Sequence, residues 1–121
     1  MKKAILCGIA CMGTFLNLSS ASGQSVPVME VHARRYTFVP SEVTIRKGQT
    51  VKLELVSDDV IHSLVIDGLH LQARMPARKK VEVVITPNQV GDFKGKCGVF
   101  CGSGHGQMTF TVHVVSGDKA K

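Results

Sequence analysis

From residue 28 onward, short runs alternate between apolar and polar positions, and the period is two. Val51-Lys52-Leu53-Glu54-Leu55 is the clearest case, with Lys52 and Glu54 on the face opposite the apolar residues. That is the pattern of a half-buried strand. Glu42-Val43-Thr44-Ile45-Arg46 alternates in the same way between turns at Pro40-Ser41 and Lys47-Gly48-Gln49. The runs 28–33, 36–39, 62–66 and 81–86 predict further strands, closed by turn residues such as Asp67-Gly68 and Pro87-Asn88. Residues 108–115 predict a last strand, with Thr109, Thr111 and His113 on one face and Phe110, Val112 and Val114 on the other. No helical period appears after residue 25, although the spacing from Leu69 to Met75 allows one short helical turn. Seven or eight short strands in about 95 residues predict an all-β antiparallel sandwich or barrel.

The first twenty or so residues read differently. Met1-Lys2-Lys3 is a positive start, residues 4–18 are largely apolar and uncharged, and Ser19-Ser20-Ala21-Ser22-Gly23 offers small residues for cleavage. This is the layout of an export signal, cut after Ala21 or Gly23. A retained anchor is the rival reading, but the apolar run is short of the roughly 20 residues a spanning helix needs, and Gly8, Gly13 and Asn17 interrupt it. The expected organisation is therefore a signal peptide over 1–21, a linker over 22–27, one domain over 28–115 and a polar tail over 116–121. About 100 residues remain after cleavage, enough for one core, with no second hydrophobic segment to span a membrane.

Cleavage also removes Cys7 and Cys11, leaving Cys97 and Cys101, and losing Lys2 and Lys3 lowers the formal charge from +6 to +4. The basic residues are scattered as Arg34-Arg35, Arg46-Lys47 and Arg78-Lys79-Lys80, with few aromatics among them. Nucleic-acid binding would need a denser basic face with stacking residues, so that function class is set aside. Export places the protein in the periplasm or outside the cell, where two nearby cysteines can oxidise.

The chemistry concentrates between residues 97 and 108. Cys97, Cys101, His105 and Met108 supply two thiolates, an imidazole and a thioether in twelve residues, with four glycines between the first and the last. Soft and borderline donors of this kind select copper over magnesium or calcium. Cys101, His105 and Met108, completed by His62 from an earlier strand, form the ligand set of a one-copper blue site. Cys97 changes the count, because two thiolates on one loop can each bridge two metal ions. For an arbitrary exported pair a plain disulfide would be the ordinary reading, and it is the donors at the following offsets that favour metal. Met29 and Met75 read as packing residues. His32, His70 and His113 lack partners at diagnostic spacing, with His70 the one of the three that a folded-back turn would bring near the site. Asp59 stands where it could support His62 or cap the preceding turn.

The loop pattern Cys-x3-Cys-x3-His-x2-Met, with Asp59-Val60-Ile61-His62-Ser63 upstream, resembles the CuA domain of cytochrome c oxidase subunit II and of nitrous oxide reductase. Phe38-Val39-Pro40, the Lys47-Gly48 turn and Met75-Pro76-Ala77-Arg78 extend the likeness over nearly the whole mature chain. The resemblance implies a cupredoxin Greek-key sandwich holding two copper ions that share one electron. It implies that Cys97 and Cys101 bridge the coppers, that His62 and His105 bind one copper each, that Met108 is a weak axial ligand, and that Val99 offers its backbone carbonyl. The family commonly has a glutamate where this chain has Val99. This chain also lacks tryptophan, is expected to carry only a leader where oxidase subunits have transmembrane helices, and is basic where those domains present acidic residues to cytochrome c. The expected function is an exported, soluble, monomeric electron carrier and not an enzyme, working with a neutral or acidic redox partner. A periplasmic copper carrier, a mononuclear blue-copper protein and a disulfide-stapled binding module remain as alternatives.

Overall fold

The computed structural model describes residues 25–117, so the leader expected over 1–21 and the end of the tail lie outside the described residues. Nine strands form two sheets: β1 (Val28–Arg34), β2 (Thr37–Val39), β3 (Glu42–Arg46), β4 (Val51–Ser57), β5 (His62–Ile66), β6 (Leu71–Met75), β7 (Lys80–Ile85), β8 (Gly91–Lys96) and β9 (Thr109–Val115). One sheet has the order β2-β1-β4-β7 and the other β3-β9-β8-β5-β6. The expected sandwich is present, but it is not purely antiparallel: β1 runs parallel to β4, and β3 parallel to β9. After β2 the chain crosses to the second sheet as β3 and returns as β4, and such a crossover lets a later strand lie parallel to an earlier one.

The strand count exceeds the expected seven or eight because both β6 and β8 are added to the runs that alternation predicted. The short helical turn allowed between Leu69 and Met75 is displaced upstream, as a 3₁₀ turn over Asp67–Leu69. Leu71–Met75 is instead extended, with Leu71, Ala73 and Met75 buried and Gln72 and Arg74 exposed. Pairing with β5, Ile66 opposite Leu71 and His62 opposite Met75, makes period two the winning pattern.

The core fills the space between the sheets. Val31, Leu53 and Leu55 from the first meet Ile45, Leu64, Ile66, Phe110 and Val112 from the second. Phe38 and Phe110 pack edge to face with centroids 5.8 Å apart, an arrangement aromatic pairs favour. Three strand ends converge at one end of the five-stranded sheet. There β5 begins at His62, while β8 ends at Lys96 opposite Thr109, the first residue of β9. The donor-rich loop springs from that point.

Candidate metal centre

The loop 97–108 is pinched shut at its neck, where the Cys97 amide donates to the Met108 carbonyl at 3.1 Å. The first and last candidate donors are thereby neighbours, and both are buried. Cys101 is buried as well, and its Sγ lies 3.6 Å from Cys97 Sγ. A disulfide needs about 2.05 Å, so both thiols are free. His105, in a short 3₁₀ turn over His105–Gln107, places Nδ1 3.9 Å from Cys101 Sγ, and Met108 Sδ lies 3.9 Å from the same sulfur. The Val99 carbonyl, expected to face the site, accepts from the Cys97 thiol at 3.2 Å.

His62 comes from β5, and one of its ring nitrogens joins the two sulfurs in a cluster whose donor atoms all lie within 4.8 Å of one another. The side chain is fully buried. Its Nε2 donates to Asp59 Oδ1 at 2.6 Å, which fixes the tautomer and leaves Nδ1 as a bare acceptor. That Nδ1 is buried with no hydrogen-bond partner. An unsatisfied buried nitrogen is costly and uncommon, and a metal ion on this lone pair would satisfy it. A residue set of two free thiols, an orphaned imidazole nitrogen, a second imidazole and a thioether fits copper.

Electrostatics reinforce the arrangement. Burial pushes the Cys101 thiol up to about 11, with the neighbouring Cys97 thiol adding to it. Without metal the Cys101 thiol is therefore held protonated, and metal uptake there must expel its proton. For Asp59, burial is the largest influence and opposes ionisation. It is outweighed by the Arg35 amide, His62 and the Val60 amide together, which leave the carboxyl below its usual value. Asp59 accordingly supports His62 and also caps the turn, taking the Val60 amide at 2.6 Å.

Three contributors had no local signal in the sequence. Ser63 Oγ accepts from the Gly98 amide at 2.9 Å, tying the loop to β5. The Arg35 side chain donates from Nε to the Cys101 carbonyl at 3.2 Å. Tyr36 lies beneath the loop, its ring against Gly104 so closely that no side chain could fit there. The other histidines lie elsewhere. His70 follows the 3₁₀ turn in a left-handed conformation, φ 51, away from the donors. His32 is held between Asp58 and Glu30, and His113 between Asp92 and Glu42, on outer sheet faces. Met75 is a core residue.

The family model described as a cupredoxin-like domain matches residues 6–110. A probable cytochrome c oxidase subunit 2 of Streptomyces avermitilis is 43% identical over 74 residues, which is 60% of this chain and 23% of that protein. The match thus spans under a quarter of that relative's length. Among solved structures, the periplasmic domain of subunit II of cytochrome oxidase of Bradyrhizobium japonicum is similar with a TM-score of 0.69 at 13% identity, over 78% of this chain and 87% of that one. Auracyanin A, a blue copper protein from Chloroflexus aurantiacus, gives a TM-score of 0.62 at 16% identity, over 75% of this chain and 100% of that one. At those identities the two structures bear on the fold alone.

Proposed function

Because this chain belongs to the cupredoxin-like domain family, we propose that its loop and β5 together hold two copper ions and that the protein carries electrons. The observation that carries this reading is the buried pair of free sulfurs 3.6 Å apart, clustered with a ring nitrogen of His62, a buried side chain whose Nδ1 has no hydrogen-bond partner. Cys97 and Cys101 would bridge the ions, His62 and His105 would bind one each, Met108 would be a weak axial ligand, and the Val99 carbonyl would complete the set. A bound copper pair supplies a one-electron couple shared between two ions, so that each ion changes little between oxidation states.

The protein's own contribution is to keep the donors in place. The neck hydrogen bond, the Ser63 and Arg35 contacts and the Tyr36 ring hold the loop from four sides. Electron transfer benefits from such rigidity, because little reorganises when the charge changes. The similarity to subunit II of oxidases supports electron transfer over copper delivery. A one-copper blue site would leave Cys97 unused, although it is as buried as Cys101 and lies 3.2 Å from the Val99 carbonyl.

The charge distribution supports an acidic or neutral partner. On the four-stranded sheet the outward charges pair off, Lys52 with Glu82, Lys80 with Glu54 and Arg34 with Asp58. On the five-stranded sheet, Arg74, Lys94 and Lys96 are exposed, and none has a carboxylate within ion-pair distance among the described residues. Lys96 directly precedes Cys97, and Arg74 lies opposite Ser63 beside His62, so positive charge flanks the site. We place the mature protein in the periplasm or outside the cell, as a monomer.

The test is Cys97→Ser. This variant is expected to lose the two-copper spectrum and to retain at most one copper on Cys101, His105, His62 and Met108. Unchanged copper stoichiometry by metal analysis would overturn the binuclear reading.

A further inference from the structure

We infer that Arg35 is a positioning residue for the metal centre: it ties together the two separate segments that carry the donors, and its charge raises the reduction potential of the site. The inference rests on the copper reading above, but its two halves can be tested apart from it.

Arg35 lies in the turn between β1 and β2 and belongs to neither donor segment. Its backbone amide donates to Asp59 Oδ2 at 2.9 Å, and the other oxygen of that carboxylate takes the His62 Nε2–H at 2.6 Å. Its side chain donates from Nε to the Cys101 carbonyl at 3.2 Å. One residue therefore reaches the histidine segment through its main chain and the thiolate loop through its side chain, at sequence separations of 24 and 66. The next residue, Tyr36, continues the support, with its hydroxyl 3.4 Å from Ser103 Oγ and its ring against Gly104. The β1–β2 turn thus acts as the floor on which the loop rests.

An exposed arginine is ordinarily just solvated. Two features set this one apart. The nitrogen in use is Nε, nearest the backbone end of the guanidinium, so the side chain is folded over the loop and not extended into water. No carboxylate lies within ion-pair distance of the Arg35 side chain among the described residues, so the guanidinium is not paired off; the Asp59 carboxylate is held at the Arg35 main chain instead. Nor does the loop counter it, since residues 97–108 contain no acidic side chain. A positive charge beside a redox centre disfavours the more positive, oxidised state, and the potential rises.

The experiment compares Arg35→Met and Arg35→Lys with the wild-type chain. Three quantities are measured: the reduction potential of the copper-loaded protein, the rate of copper loss to a chelator, and the rate of Cys101 alkylation in the reduced, copper-free protein. Arg35→Met is expected to lower the potential and to speed copper loss and alkylation roughly three- to tenfold, the net scale of one ordinary hydrogen bond, as suits a solvent-exposed side chain. The melting temperature of the copper-free form should stay near wild type, because the side chain is exposed. Arg35→Lys should restore most of the potential but not the slow copper loss, since a lysine keeps the charge without the Nε donor. Wild-type potential and copper loss in Arg35→Met would overturn the inference. If the wild-type chain takes up no copper, the copper reading fails, and with it the effect on potential. The alkylation comparison still decides whether Arg35 clamps the loop, and equal rates would overturn that half too.

Discussion

At the scale of single residues, the site is defined by what each donor lacks. His62 has one nitrogen spent on Asp59 and one with no partner. Cys97 and Cys101 are both free thiols. Met108 is fully buried but places its sulfur toward Cys101 instead of serving only as packing. Its replacement is therefore informative. Met108→Leu conserves volume and should fold, since such swaps usually cost less than about 1.5 kcal/mol. It should keep copper and shift the potential, measured by voltammetry on the loaded protein. Loss of copper in this variant would mean that the thioether binds far more strongly than a weak axial ligand. These residues could be singled out in the sequence as candidates because ligand chemistry restricts residue type and spacing. Arg35 and Ser63 were not, because a carbonyl-binding arginine and an amide-binding serine look like any surface arginine and any strand serine. Only the fold brings them to the loop.

At the scale of elements, alternation identified most strands, and the errors have physical causes. The stretch 69–75 is too short for period two and period 3.6 to be told apart, and pairing with β5 decided it. Parallel pairing of β1 with β4 was illegible because it depends on where the chain crosses between sheets, which local pattern does not encode. The junction between loop and β5 is tight enough to test. A methyl group added at Gly98 would lie 2.5 Å from Val65 Cγ2 and 2.9 Å from Ser63 Oγ. Gly98→Ala should therefore cost about 1–3 kcal/mol of stability in urea unfolding and speed copper loss. A wild-type unfolding midpoint would show that the loop yields without cost. On the outer face, His113 of β9 joins β8 and β3 through Asp92 and Glu42, which raise its pKa above 6.5, the Asp92 hydrogen bond most. A raised folded value means that this contribution is complete below pH 6.5 and is lost as pH rises through the folded pKa. The difference in melting temperature between wild type and His113→Gln should be larger at pH 5.5 than at pH 8.5. An equal difference at both would remove His113 from the stability account.

At the scale of the whole molecule, two sheets with different outer faces share one core. The face of the four-stranded sheet is largely self-neutralised, whereas the site end of the five-stranded sheet keeps Arg74, Lys94 and Lys96 without ion-pair partners among the described residues. The net charge announced a basic protein, but only the fold separates paired from unpaired charge. Oxidation of the copper-loaded, reduced protein by hexacyanoferrate(III), a trianion, should be fast at low salt. The double variant Lys94→Gln, Lys96→Gln should slow it several-fold, with the difference fading near 1 M salt, where charges are screened within about 3 Å. Equal rates at low salt would take these lysines out of any docking role.

In the proposed site, two reduced sulfurs share two copper ions in a rigid β scaffold. Metal analysis combined with electron spin resonance on the thiol-reduced, copper-loaded chain tests it most directly. Two coppers per chain are expected, with a seven-line hyperfine pattern from one electron coupled equally to both nuclei. One copper with a four-line pattern and an intense blue band, or uptake of zinc in preference to copper, would contradict it.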